Sequence, residues 1–558
     1  MGRPSQTSSE DSFPQDLKVM RERQDSDSSA SQSSCSSEVM MPTLHVTASP
    51  GRSVEVESAD VMQEMLPILV ERVAQMEVVN QEVLRVTPVC RALERFAIAL
   101  RVGSAGDFYP KSRQTERIST FWSHSWHGGH WKKIFAIITF YNGTAAVSLA
   151  LFTGVLMMVL YSTGTLPGFD RGWFDKSWLW SCWSTFSGFV VASLAMILWR
   201  PQTAVFLDRI CISQHDESLK TDAILSLAGL LKNSDNMLIL WDPTWTQRLW
   251  CLFELAAFLK SKKTQEQHLI VRPIFMGPLS ILAFLTFFAM AVAMATAPVD
   301  HIRTVVTLMV AIASSFCAVA FPTASTIRSY FRDLDTMKLQ LLSISVDSTR
   351  SSCCDHNHTT PSGGAMLCDR KIVKECVKIW FGSESSFEDT VRTEVLDILN
   401  RDLTEKVFST PWALAVSSPL ILAFMDVSAS WTVVNLEYES KLWSHPAIAL
   451  LLEGLVLWLV FVPPTKDVLI LLLRLGRRRP RSTCLELLKN ALVLAAAAVP
   501  ILLLIAAYAI TRFADLVVFG TENATLRAVG FACCTLLIAV CNFVVQLGLK
   551  ALLRRPGW

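Results

Sequence analysis

Apolar runs long enough to cross a bilayer recur about eight times along this chain. They predict helices at residues 134–162, 178–199, 274–297, 303–323, 411–432, 446–464, 487–511 and 526–548. One stretch between them is patterned differently. From Gln202 to Lys263, two short apolar runs, Ala204 to Ile212 and Met237 to Trp241, have the length and polar borders of buried strands. A helical pattern follows each: Ile224, Leu227, Ala228 and Leu231, then Leu249, Leu252, Phe253 and Ala256. Strand, helix, strand, helix within about sixty residues predicts a parallel sheet with crossover helices. Ligands of such sheets sit at the carboxyl ends of the strands, which singles out Ser213, Gln214 and Asp242. The expected fold is a multi-pass α-helical membrane protein with a small cytosolic α/β parallel-sheet domain.

Polar segments divide the rest. Residues 1–59 are rich in Ser, Asp, Glu, Gln and Pro, so a disordered tail is expected. Its serines beside acids, as in Asp25-Ser26-Asp27-Ser28-Ser29, are phosphorylation candidates or simply part of a solvated tail. Residues 60–118 predict cytosolic helices. A helix from Asp60 to Val86 carries Leu66, Leu69, Val73, Met76, Asn80 and Val83 at alternating spacings of three and four. That seam either dimerises as a coiled coil or packs on the chain's own domain. Pro88 ends it, and a second short helix spans 89–102. Residues 119–131 contain TFWSHSWHGGHW, whose start is expected to add a strand to the later sheet. Its His124, His127 and His130 suit a metal or a polar loop at the membrane edge. There follow two spans (132–200), the α/β core (201–272), two spans (273–323), a cytosolic helical loop region (324–408), four spans (409–549) and a tail (550–558).

Composition agrees: 51% of residues are hydrophobic and 18% charged. The net charge of +2 points to no class of partner, but the placement of the charges orients the chain. Lys132 and Lys133, then Arg328, Arg332 and Lys338, then Arg474, Arg477, Arg478, Arg479 and Arg481, then Lys550, Arg554 and Arg555 all fall on one side of an eight-span layout. Both termini and the α/β domain are therefore expected in the cytosol. The run from Arg477 to Arg481 also suits anionic membrane lipid. The polar N-terminus predicts no cleaved signal peptide. Asn523-Ala524-Thr525 is a glycosylation sequon on the expected outer side. The 14 cysteines follow no secreted disulfide spacing, and there is no Gly-rich phosphate loop, Ser-His-Asp set or nucleic-acid patch.

Two further groups carry candidate chemistry. Cys353, Cys354, His356, His358 and Cys368 place soft ligands around a Gly/Pro turn, either as a zinc site or as reduced thiols in a polar loop. Asp426 and Glu453 fall inside predicted spans, each roughly 10 Å below the outer edge. Facing each other they would form a cation or proton site; otherwise each is a neutral or internally bonded acid.

The segments LDRICISQ, NSDNMLILW and RLWCLFELAAF resemble the Toll/interleukin-1 receptor (TIR) superfamily. They resemble still more the TIR-like modules of multi-pass proteins from unicellular algae, notably dinoflagellates. Those share the SHSW-type segment, the DxxCIxQ box containing Asp208, the RLWCxxEL box and a later segment that corresponds here to Cys368–Arg392. The resemblance runs in pieces from about residue 120 to 400 and implies a signalling or scaffold role through self-association. In TIR domains that cleave NAD, the catalytic glutamate ends a Trp-x-x-x-Glu motif, matched by Trp250 and Glu254. The resemblance thus implies a second reading, with NAD as substrate, Glu254 as catalytic acid and Trp250, Asp208, Ser213 and Asp242 binding the ligand. Positions i and i+4 share a helix face, so one pocket would hold ring and carboxylate. The sequence departs from active TIR domains in lacking a glycine-bearing loop after DRICISQ and in separating its first two strands by two membrane spans. A third reading is a transporter or channel using Asp426 and Glu453.

Overall fold

The computed structural model describes residues 65–101, 106–173, 176–262, 268–296, 302–359, 367–439, 445–479, 482–519 and 524–553. The tail at 1–59 and the sequon at Asn523 lie outside them.

Six strands form one sheet: β1 (Arg85–Pro88), β2 (Arg113–Gln114), β3 (Ile118–His124), β6 (Ala204–Phe206), β7 (Ser234–Trp241) and β8 (Leu269–Pro273). The order is β2-β1-β6-β3-β7-β8. The β6, β3, β7 and β8 strands run parallel, and β1 and β2 close one edge antiparallel. Numbered along the chain, the four parallel strands have the order second, first, third, fourth, which is the flavodoxin-like doubly wound order. FWSH is therefore a central strand, pairing with both β6 and β7; Phe121 stacks on Phe206 with ring centroids 4.8 Å apart. The β7 strand is buried from Met237 onward, which is why MLILW reads as a continuous apolar run, and β3 is as deeply buried although ISTFWSH carries Ser, Thr and His.

The first crossover is where membrane and sheet meet. The His130–Ser162 helix starts at the carboxyl end of β3 and runs back over the sheet. Lys133 bonds the Ser125 carbonyl, and eight residues later Tyr141 accepts from the Trp122 indole at 3.1 Å. Ile134 and Ile137 are fully buried with Trp122 and Phe206 in the main core, each contributing about 2 kcal/mol. Beyond Asn142 the helix leaves the sheet, and Gly154, Met158 and Tyr161 are buried further along it, the last two in a separate helical core with Ile421, Leu422 and Met425. The Trp183–Leu198 helix returns to the same level, where Asn142 Nδ2 donates to the Met196 carbonyl at 2.9 Å, and β6 follows. The carboxyl ends of the parallel strands thus point away from the apolar helices.

Six helices among the described residues are long and apolar enough to cross a membrane, and the Trp183–Leu198 helix is apolar but shorter. They mark a membrane protein. Each predicted apolar run coincides with helix, with adjustments. The second run opens not as helix at 178 but as strand: β4 (Phe169–Trp173) and β5 (Lys176–Trp180) form an antiparallel hairpin, because KSWLW alternates aromatic and other positions. The Ile302–Leu342 helix outruns its apolar run, and Ile327, Phe331, Leu334 and Leu341 enter the sheet's core. A π turn at Leu457–Phe461 interrupts the sixth, just ahead of Pro463 and Pro464, which have no N–H to donate.

Three local expectations are corrected. The strand predicted over Ala204 to Ile212 ends at Phe206, and Asp208–Cys211 turns helical. The helix predicted to Val86 stops near Ala74, and Arg85–Pro88 is a strand. Asn80 is not a seam position: its side chain caps the Gln81–Val83 turn and donates to Asp222 at 3.2 Å. Val70, Val73, Met76 and Val83 bury themselves in the chain's own core. The β8 strand has no counterpart in the sequence reading, because LIVRP is too short to separate from the apolar run behind it.

Candidate functional site

The carboxyl ends of β3, β7 and β6 bring Ser125, Asp242 and Asp208 to one end of the sheet, where doubly wound folds bind ligands. Here the chain itself fills that place. Trp126 lies across it and donates to Asp208 at 3.0 Å, and the Arg209 amide donates to the same carboxylate at 2.6 Å. Burial raises the pKa of Asp208, which these bonds partly offset. Asp242 accepts from the Thr244 amide at 2.8 Å and from its hydroxyl. A Cβ at Gly128 would collide with Asp242 and crowd Lys133, so glycine is needed for this close approach. Lys133, 1% exposed, bonds the Ser125 carbonyl. His124 is buried beside it; burial first, and the Lys133 charge second, hold its pKa well below the usual value.

Glu254 sits deeper, on the Leu249–Ser261 helix behind β7. Its carboxyl accepts from the Ser123 hydroxyl at 2.6 Å, and that hydroxyl accepts from the Trp245 indole at 3.0 Å. Only 8% of Glu254 is exposed. Burial pushes its pKa up to about 8; the Ser123 bond works against that and the Asp208 charge adds to it. Trp250 faces another way. Its indole donates to Asp369 at 3.1 Å and lines a small cavity with Leu69, Val73, Ile224, Phe253 and Asp369, a lining that does not include Glu254. Ser213 and Gln214 make local turn bonds, to the Asp216 amide at 3.1 Å and the Ile212 carbonyl at 3.1 Å.

Four of the five metal-ligand candidates converge. Ligand atoms of Cys353, Cys354, His358 and Cys368 all lie within 4.8 Å of one another. His356 is exposed and turns its ring to the Ser352 carbonyl at 2.8 Å. Burial is the main cause holding the thiols of Cys353 and Cys354 above their ordinary range. Among the described residues His124, His127 and His130 form no such group.

Asp426 is buried at the far end of the Trp183–Leu198 helix. It accepts from the Ser181 hydroxyl at 2.6 Å and from the amides of Ser184 and Thr185 at 2.8 Å each. A carboxylate from another helix thereby caps this helix, whose own N-cap residue makes no side-chain bond. Glu453 is also buried and is not among these partners.

Several residues escaped the sequence reading. Ser123 and Asp369 are ordinary polar residues by spacing, and only folding reveals them as partners of Glu254 and Trp250. Lys133 and Arg328 counted as membrane-flanking charges, yet both are buried. Arg328 bonds the Gly476 carbonyl at 2.7 Å, Asn490 at 2.6 Å and Glu486 at 2.9 Å. A signal existed for Lys133: it shares a helix face with Ile137. Compared with protein-family models, curated proteins and solved structures, the chain matches none.

Proposed function

We propose that this chain is a membrane-anchored signalling or scaffold protein whose cytosolic TIR-like module works by association with other chains, its own copies first, with both termini on the module's side of an eight-span membrane region. The observation that carries this reading is the strand end filled by the protein's own Trp126, Lys133, Asp208 and Asp242. A module whose crevice is closed offers surfaces rather than a cleft. The flavodoxin-like strand order agrees with the TIR-like reading.

The NAD-hydrolase alternative asks Glu254 to stabilise positive charge developing on a ribose. With a pKa of about 8 that acid is mostly protonated at neutral pH, and it is buried under Ser123. The transporter alternative asks Asp426 to take up a cation, but three donors already occupy its oxygens.

The test uses the full chain in lipid nanodiscs or detergent. The number of chains per particle is measured by mass photometry across a concentration series, and NAD consumption is followed in the same samples. More than one chain per particle with no loss of NAD is the expected result. A monomer that consumes NAD, and stops doing so as Glu254→Ala, would replace the scaffold reading with the enzyme.

A further inference from the structure

We propose that Cys353, Cys354, His358 and Cys368 bind one zinc ion and so fasten the segment 352–358 to the start of the Asp369–Phe381 helix. The inference rests on the ligand geometry and is independent of the scaffold reading.

Tetrahedral zinc with Zn–S near 2.3 Å and Zn–N near 2.0–2.1 Å has edges of about 3.8 Å between sulfurs and about 3.6 Å between sulfur and nitrogen. The sulfurs of Cys353 and Cys354 are 3.8 Å apart, those of Cys354 and Cys368 3.9 Å, and Cys354 Sγ lies 3.6 Å from His358 Nε2. These separations are far longer than a disulfide bond. All four ligand atoms lie within 4.8 Å of one another, so the remaining pairs need close by no more than about 1 Å to reach tetrahedral edges. A two-iron cluster would hold ligand pairs on separate metals, farther apart.

The surroundings suit thiolate ligands. The Asp369 amide donates to Cys353 Sγ at 3.3 Å, and the Ser351 hydroxyl lies 3.1 Å from the same sulfur. Such bonds orient ligands and stabilise their charge. The backbone is bent to bring the histidine in. Asn357 and His358 both adopt left-handed conformations, with φ of 51° and 58°, which costs about 1 kcal/mol or more each. The segment has little core of its own to offset this: Cys353 is its one fully buried residue. A bound cation supplies the missing energy, since metal binding to a site that forms only on folding is folding free energy. Asp369, set beside the site, in turn receives the Trp250 indole.

Full-length protein purified in detergent without chelator is measured for metal by plasma mass spectrometry. One zinc per chain is expected, lost in Cys354→Ser and Cys368→Ser but retained in His356→Ala, whose ring points elsewhere. Cobalt exchanged into the wild type should give the intense visible bands of tetrahedral cobalt and a thiolate charge-transfer band. If the serine variants fail to fold, chelation of the wild type replaces them: amide exchange over 352–359 should accelerate and recover on zinc addition. Substoichiometric metal in the wild type, a disulfide between Cys354 and Cys368, equal loss in His356→Ala, or no response to chelation would each overturn the proposal.

Discussion

Two buried carboxyls in this chain solve the same problem in opposite ways. Glu254, in the α/β domain, has one hydroxyl donor and a pKa raised to about 8. Asp426, in the apolar helical region, has three donors, two of them backbone amides at a helix N-terminus. Both acids stand out equally in the sequence as candidate chemistry. The difference shows that a buried acid's role is set by how many donors reach it, and these come from segments far away in sequence.

The strongest way to break the comparison is at Asp426. Asp426→Ala leaves the Ser184 and Thr185 amides without their acceptor and should destabilise the protein by about 3 kcal/mol or more. Asp426→Asn keeps one acceptor oxygen and should cost about half as much. Thermal unfolding in one detergent compares them; equal stability of all three proteins would show that the cap is dispensable.

Glu254 should respond to pH instead. Its pKa is higher folded than the ordinary 4.5, so the native state holds its proton more tightly. Stability from this group is present below about pH 4.5 and is lost as pH rises toward about 8, on the order of 3 kcal/mol by pH 7. Glu254→Gln, neutral throughout, should flatten that part of the profile and be the more stable protein above neutrality. A slope unchanged in Glu254→Gln would place the titration elsewhere.

Smaller effects sharpen the contrast within the α/β domain. Trp250→Phe keeps the ring packing but removes the donor to Asp369, and should cost about 1 kcal/mol. Asn80→Ala removes a turn cap and the bond to Asp222, with a similar loss of about 1 kcal/mol. Asn80→Ala should leave the number of chains per particle unchanged; a shift would revive the coiled-coil seam.

What could be read beforehand follows from which signals are local. The apolar blocks and the strand at Met237–Trp241 were legible, because continuous burial leaves continuous apolar residues; FWSH, broken by Ser123 and His124, was legible as a strand of the same sheet only through the resemblance of its SHSW segment. The kinds of side chain that cluster around Cys353, Cys354, His358 and Cys368 were legible, and of the residues named with them His356 alone turns away. The early end of β6 was not legible, since Ile210 to Ile212 are buried in a helical turn as fully as they would be in a strand. Nor were the partners of Glu254, Trp250 and Asp426, which lie 131, 119 and 241 to 245 residues away along the chain. Charge rules misjudged Lys133 and Arg328 because they count cations without asking what covers them.

The His130–Ser162 helix is gripped by the sheet at one end and by the helical bundle at the other, with no joint between. A twist about its long axis would carry Lys133 and Gly154 round together. Any torque exerted on the domain would thus be delivered, as through a spindle, to the packing of Gly154 against the buried Leu422.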